Sequence, residues 1–198
     1  MKLAADHPDH ATILAERRYD RMAAKAFEQA CKGDSGEALH EAADLLDSGL
    51  DAWRLAMMRV ARLSAVAPEI RKAFLPIWVA SKMLPLSVGN RAVLARALRL
   101  LLPRNYLGEP LTLYRGATAR ERRFGAYGFS WTVDRNIARN FAEKWKTDGG
   151  VLLETVATPE AVLLVRKPED YYDEGEVVLD PFRLGKVHVV ERFYPRLT

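Results

Sequence analysis

The sequence has only one cysteine, Cys31, and this excludes a disulfide bond within the chain. Its apolar segments are interrupted by Arg, Lys or Pro well before the length of a membrane span, so we expect no transmembrane helix. The opening segment MKLAADHPDHATIL lacks the continuous apolar stretch of a secretory signal, so we expect no cleavable signal peptide. These features favour a reducing compartment, namely the cytoplasm of the producing cell or of a target cell that receives the protein.

Motifs of several common enzyme classes are also missing. The chain has no GxGxxG fingerprint, no Walker loop and no HExxH pair, which disfavours Rossmann dehydrogenases, P-loop nucleotide hydrolases and zinc proteases. The composition is ordinary for a globular protein of 198 residues, with 49% hydrophobic and 28% charged residues. A net charge of +4 is compatible with a phosphate-bearing ligand or an acidic partner without requiring either.

The first half of the chain has helical periodicity from residue 11 to about residue 102. The 3/4 spacing of apolar residues predicts buried stripes on successive helices, among them Tyr19, Met22, Ala26 and Ala30 on the first. A second helix is expected to begin after the N-cap Ser35 and to end at Ser48-Gly49. Pro76 is expected to kink or split a later helix. Leu94, Leu98 and Leu101 form the clearest stripe.

After Pro103 the pattern changes to short strands with turn signals. One helix, DRNIARNFAEKW, lies between them, with Thr132 or Asp134 as its N-cap. The order of strands, one helix and further strands predicts an α+β fold rather than alternating βαβ units. The expected strands are LTLYRG, GFSWT, VLLETVA, AVLLVRK, EVVLD and KVHVVERFY.

Three short segments of this half carry residues suited to chemistry. Arg115 and Gly116 end the first strand, where a guanidinium can bind a phosphate; a plain surface arginine is the alternative. Ser130 and Thr132 share one face of the second strand, and their alternative is a pair of hydroxyls turned to solvent. Glu174 and Glu176 are separated by one residue at the start of a later strand, where two neighbouring carboxylates indicate either a solvated edge or a site.

Together, in this order, these segments resemble the R-S-E class of mono-ADP-ribosyltransferases, the cholera-toxin-like type found in bacterial and phage effectors and toxins. The matching elements are Arg115, the Ser-x-Thr strand Ser130-Trp131-Thr132, and the Glu-x-Glu element that ends in Glu176. The sequence FSWT departs from the more common Ser-Thr-Ser, which leaves the role of Thr132 open. The resemblance covers residues 88–198, and residues 1–87 form a helical region with no family match.

The resemblance implies a fold, a substrate and a set of roles. The fold would be a helical N-terminal half packed on an ADP-ribosyltransferase-like split β-sheet core, and NAD would be consumed as a substrate without a metal. Glu176 would stabilise the ribosyl cation, and Glu174 would prepare an arginine acceptor. The other implied residues are Arg115, Gly116, Ser130, Trp131, Thr132 and Phe141 for NAD, and Tyr171 and Tyr172 for recognition of the acceptor. Phe141 is equally well a core aromatic, and the two tyrosines are equally well exposed loop residues.

Three functions therefore remain open at this point. The first is transfer of ADP-ribose to arginine on a protein. The second is NAD hydrolysis, or transfer to nucleic acid by the same fold. The third is a non-catalytic module that binds NAD or a partner. The helical half is compatible with docking the target, binding an immunity or antitoxin protein, or supporting the sheet.

Overall fold

The fold is α+β, as predicted from a helical first half followed by short strands with one helix among them. The computed structural model describes residues 10–166 and 175–194, apart from the side chain of Asp148. These residues contain eight α-helices and six strands, all of the strands in one sheet. The chain divides into two compact units, with the division between Pro103 and Arg104. The first unit is helical, and the second contains the sheet and two of the helices.

The helical unit contains six α-helices separated by short connections. The second helix begins after the N-cap Ser35, whose side chain accepts a hydrogen bond from the backbone N–H of Ala38, as predicted. Of the two expected effects of Pro76, the split does not occur, because the fourth helix continues through it as one element. The helices are α1 (His10–Lys32), α2 (Gly36–Asp47), α3 (Ala52–Val60), α4 (Pro68–Ala80), α5 (Leu84–Val88) and α6 (Arg91–Leu101).

The stripe predicted for α1 is not the one that the helix buries. Met22 is 54% exposed, whereas Ala23 and Phe27 are fully buried. The buried face includes Asp20 and Cys31, so it lies one position along the chain from the predicted stripe. Both stripes have the same helical spacing, and only the packing of α1 against α2 and α3 selects between them. In α6 the predicted stripe of Leu94, Leu98 and Leu101 is fully buried.

The second unit contains a six-stranded antiparallel sheet with the order β4-β5-β2-β1-β3-β6. All six predicted strands are present. The longest pairing joins β1 to β3 along the whole of both strands. The strands are β1 (Leu111–Thr118), β2 (Ser130–Thr132), β3 (Gly150–Ala157), β4 (Val162–Val165), β5 (Glu176–Leu179) and β6 (Val187–Phe193).

Two helices of this unit lie between strands, α7 (Ala119–Arg123) and α8 (Arg135–Lys144). Asp134 is the N-cap of α8, because its Oδ1 accepts hydrogen bonds from the backbone N–H groups of Asn136 and Ile137. The helix packs on one face of the sheet through Ala138 and Ala142, which form a small buried cluster with Leu152. The helix therefore covers that face above β1 and β3.

Glycines allow this close approach of α8 to the sheet. A Cβ placed on Gly116 would lie only 2.3 Å from the carbonyl oxygen of Ala138 and 2.3 Å from the backbone nitrogen of Ala142. A Cβ on Gly150 would also collide with the backbone of Ala142. Real Cβ atoms do not come this close, so both strands need glycine where the helix crosses them. The other face of the sheet carries the larger core cluster, which includes Leu113, Trp131 and Val177.

Candidate active site

The sheet brings the three sequence motifs onto adjacent strands. Arg115 lies in β1, Ser130–Thr132 constitutes β2, and Glu176 is the first residue of β5. Although β2 and β5 are more than forty residues apart in the chain, β2 lies between β5 and β1 in the sheet. The three motifs therefore lie on three consecutive strands of the sheet.

The strand register places Thr132 beside Glu176. Thr132 lies opposite Glu176 of β5 on one side and opposite Tyr114 of β1 on the other. Residues that are directly opposite in an antiparallel pair project from the same face, as do residues two apart in one strand. Ser130 therefore shares this face with Thr132 and Glu176. Ser130 is exposed, Thr132 is buried, and Glu176 keeps 19% of its side chain exposed.

Trp131 lies on the opposite face of β2 from these residues. Its side chain is 2% exposed and belongs to the larger core cluster, where it makes an edge-on contact with Tyr127. Its indole N–H donates to the carbonyl oxygen of Gly128 at 3.2 Å. Trp131 thus anchors the strand that carries Ser130 and Thr132.

The side chain of Arg115 links β1 to β2. The two strands pair at Tyr114 and Thr132, and the carbonyl oxygen of Ser130 accepts a hydrogen bond from Arg115 Nη1 at 2.8 Å. A Cβ on Gly128 would lie 2.5 Å from Arg115 Nη2, so the glycine leaves space for the guanidinium. The alternation of β1 sends Arg115 to the core face of the sheet, yet 21% of its side chain remains exposed.

A carboxylate that the sequence analysis missed holds the other side of this guanidinium. Glu121 Oε1 accepts from Arg115 Nη2 at 3.0 Å. The second oxygen of Glu121 accepts from the backbone N–H of Thr118, and the Thr118 hydroxyl accepts from the N–H of Glu121. This reciprocal pair is a capping box at the start of α7, and its signal, Thr-x-x-Glu, is present in the sequence. The first turn of α7 therefore holds the guanidinium of Arg115, which belongs to the preceding strand, β1.

Thr132 links the motif strand to α8. Its hydroxyl oxygen accepts a hydrogen bond from the backbone N–H of Asp134 at 3.0 Å, and Asp134 in turn caps the helix. Gly175, which precedes Glu176, has a φ of +56°, and a Cβ there would lie 3.5 Å from the Thr132 hydroxyl. The hydroxyl thus joins the strand end to the helix start, next to Glu176.

Phe141 and Gly116 meet where α8 crosses β1. A Cβ on Gly116 would lie 2.7 Å from the Cβ of Phe141, so the aromatic residue is seated directly over the glycine. Phe141 is 39% exposed, and the ammonium group of Lys144 lies 4.6 Å from the centre of its ring. Phe141 is therefore a partly exposed aromatic beside the motif strands rather than a fully buried core residue.

Arg166 is a second residue that the sequence analysis did not identify. It follows β4, and its backbone N–H donates to the carbonyl oxygen of Glu176 at 3.0 Å. Its Nη1 lies 3.5 Å from Glu176 Oε2, and only 8% of the arginine side chain is exposed. The pairing of β4 with β5 creates this contact, so it has no signal in the local sequence.

The remaining predicted site residues, Tyr171, Tyr172 and Glu174, lie outside the residues that the structure describes. In the described part of the chain, no three His, Cys, Asp or Glu side chains are grouped to hold a metal ion. Two surface grooves lie in the helical unit, one between α1 and α2 and one beside Trp53, and neither includes a motif residue.

The site thus combines an exposed serine and a carboxylate on one face of the sheet with an anchored guanidinium that projects from the core face of the neighbouring strand. Such a set can bind an anion and stabilise a developing positive charge. Comparisons with protein-family models, curated proteins and solved structures find no significant match to this chain. Among the described helices, none has the length and apolar character needed to span a membrane.

Proposed function

We propose that the protein is an NAD-dependent mono-ADP-ribosyltransferase that modifies arginine on a protein, with residues 104–198 as an ADP-ribosyltransferase-like split-sheet core. The observation that carries the proposal is the adjacency of β1, β2 and β5, which joins Arg115, Ser130 and Glu176. The three short motifs, each weak alone, lie on three consecutive strands of the sheet. The Arg115 guanidinium, bound to the carbonyl oxygen of Ser130, links β1 to β2 at this point.

The residues present suit NAD as a substrate. The diphosphate needs a cation, and the Arg115 guanidinium keeps N–H groups beyond the two that bind Ser130 and Glu121. The nicotinamide ribose needs hydrogen-bonding partners, which the exposed Ser130 and the carboxylate of Glu176 supply. The ring of Phe141 offers an apolar surface for nicotinamide. Thr132 and Trp131 hold β2 in place rather than contact the substrate in this scheme.

Glu176 would act on the bond between nicotinamide and the anomeric carbon of ribose. When that bond breaks, its electron pair leaves with nicotinamide, which becomes neutral, and positive charge develops on the ribose. A fixed carboxylate next to the ribose stabilises this charge in the transition state, as in glycoside cleavage. A nitrogen of the acceptor guanidinium then bonds to the anomeric carbon and loses a proton.

Glu174 would take that proton. A guanidinium has a pKa above about 12 and needs a nearby base to become a nucleophile. Glu174 precedes Glu176 by two residues in the chain, with Gly175 at a φ of +56° between them. Tyr171 and Tyr172 would contact the acceptor protein from the preceding segment.

Release of nicotinamide from NAD by the purified protein tests this function. We expect release that increases with an arginine analogue such as agmatine. Glu176→Gln should lower the rate by at least about 100-fold, the usual cost of losing one group that stabilises transition-state charge. Glu174→Gln should keep the basal release and lose only the stimulation by agmatine.

Glu154→Gln provides a matched control for these variants. Glu154 lies in β3, opposite Tyr114 of β1, so it projects from the same face of the sheet as Glu176. It is three strands away from Glu176, whereas Thr132 is on the adjacent strand. This variant should release nicotinamide at the wild-type rate. No release by the wild type with or without agmatine, or full release by Glu176→Gln, would contradict the proposal.

A further inference from the structure

We propose that Arg166 is a positioning residue for Glu176, an inference that rests on the proposed function. Arg166 is the last described residue before residues 167–174, and Glu176 is the second described residue after them. The backbone hydrogen bond from Arg166 to Glu176 extends the β4–β5 pairing one position beyond Val165 and Val177. Their side chains therefore start directly opposite each other and project from the same face.

The side chains meet in a poorly hydrated position. Arg166 Nη1 lies 3.5 Å from Glu176 Oε2, and the two side chains are 8% and 19% exposed. A guanidinium with so little contact to water is costly unless it faces a negative charge. The backbone hydrogen bond to Glu176 ties the backbone of Arg166 to the end of the β4–β5 pairing. The ion pair therefore restrains the carboxylate as well as neutralising the arginine.

The contact also differentiates the two oxygens of the carboxylate. Oε2 faces Arg166, while Oε1 is not hydrogen-bonded to any of the residues that the structure describes. Thr132 lies on the other side of Glu176, across the β2–β5 pairing. Glu176 is thus held between two strands with one oxygen engaged and one presented to a ligand. In the proposed reaction, Oε1 is the atom that would meet the ribose hydroxyl.

This role makes a specific prediction for catalysis. Arg166→Gln should lower kcat for nicotinamide release by about 10- to 100-fold, a cost typical of losing a neighbouring group that orients a functional side chain, here Glu176. KM for NAD should change less than about threefold, because Arg166 acts on the transition state through Glu176 rather than on NAD itself. Arg166→Lys keeps the charge without the planar fork, and it should recover part of the lost kcat.

Arg183→Gln is the matched control. Arg183 is also an arginine near a strand end of the same sheet, where it pairs with Asp180 and donates to the carbonyl oxygen of Glu160. This control should keep the wild-type kcat. A wild-type kcat for Arg166→Gln, or an effect confined to KM, would overturn the positioning role while leaving the proposed function standing.

A second measurement tests the pair without relying on activity. In a thermal-unfolding cycle of Arg166→Gln, Glu176→Gln and the double variant, we expect the shifts in Tm to be non-additive by about 2–4 °C. Additive shifts would show that the two side chains do not interact and would overturn the inference. A coupled pair in a protein that releases no nicotinamide would overturn both the positioning role and the proposed function.

Discussion

Single glycines control how closely the parts of the sheet unit approach each other. Gly116 lets the backbone of α8 lie against β1, and Gly128 leaves room for the guanidinium of Arg115. The two positions differ in what a methyl group would meet. At Gly116 it would meet helix backbone, which cannot move alone, whereas at Gly128 it would meet the end of a flexible side chain. Substitution at Gly116 should therefore affect stability more strongly.

Gly116→Ala should lower the free energy of unfolding by about 1–3 kcal/mol, because α8 must shift away from the sheet to admit the methyl group. Urea unfolding followed by circular dichroism measures this loss. Gly185→Ala is the control, since a Cβ there has its nearest contact at 3.7 Å, on the carbonyl oxygen of Val156. The control should change stability by less than about 1 kcal/mol, in the stabilising direction if at all. Equal effects of the two substitutions would contradict the packing argument.

At the level of helices and strands, local signals decided most of what the sequence could predict. Short strand-like segments bounded by turn signals were sufficient for all six strands, and Asp134 was one of the two predicted N-caps of α8. The five-residue helix α7 was missed because it is too short to show a period, although Thr118 and Glu121 carry its capping-box signal. The stripe of α1 was misplaced because Phe27 and its neighbours have the same spacing as the predicted set.

The candidate site was predictable to the extent that its residues form local motifs. Arg115, Ser130 and Glu176 were identified because each stands in a short pattern at a strand. Arg166 could not be identified, because its contact with Glu176 exists only when β4 pairs with β5. Contacts of this kind depend on the partners of a strand, which one sequence does not specify.

An ion-pair network between α1 and α3 makes the stability of the helical unit depend on pH. Glu28 accepts a hydrogen bond from Lys32 at 2.6 Å and one from Arg59 at 2.9 Å. These bonds, that of Lys32 first, hold the pKa of Glu28 below its usual value of 4.5. A carboxylate with a lowered pKa in the folded state stabilises the fold above its pKa in the unfolded chain. That contribution is lost as the pH falls through the folded-state pKa.

Comparison of the wild type with Glu28→Gln tests this dependence. At pH 6–7 the variant should be less stable by about 0.5–1 kcal/mol, since the pair lies near the surface. The difference should shrink as the pH falls below about 4.5, because the wild type then loses the same charge. Urea unfolding at successive pH values measures it. Glu41→Gln, an exposed carboxylate on α2, should show no such change; a difference for Glu28→Gln that persists at low pH would contradict the argument.

For the molecule as a whole, the single cysteine reports whether the helical unit is folded. Cys31 is fully buried on α1, against the other helices of that unit. Burial, and next the negative charge of Glu28, raise the pKa of its thiol to about 12. Since the thiolate is the reactive form, Cys31 should be inert while the unit is folded.

Ellman's reagent at pH 8 should therefore leave the native protein unlabelled over a time that fully labels the protein in urea. The labelled fraction should rise with urea in parallel with the loss of helical circular dichroism. Met22→Cys in a Cys31→Ala background is the matched control, because Met22 lies on the same helix and is 54% exposed. This control should react at once in the native protein. Labelling of native wild type at the control's rate would show that α1 is not packed as described.

The order of the strands has a consequence for the time at which the candidate site can form during synthesis. β2 is synthesised early in the second unit, but it lies between β1 and β5, and β5 ends only at Leu179. A nascent chain that has exposed only β1, β2 and β3 therefore lacks Glu176, and the edge of β2 that later pairs with β5 has no partner strand. Closing this long-range pairing is among the slower steps in forming a sheet. If the proposed function is correct, NAD consumption would begin only after synthesis has passed β5 and β5 has paired with β2.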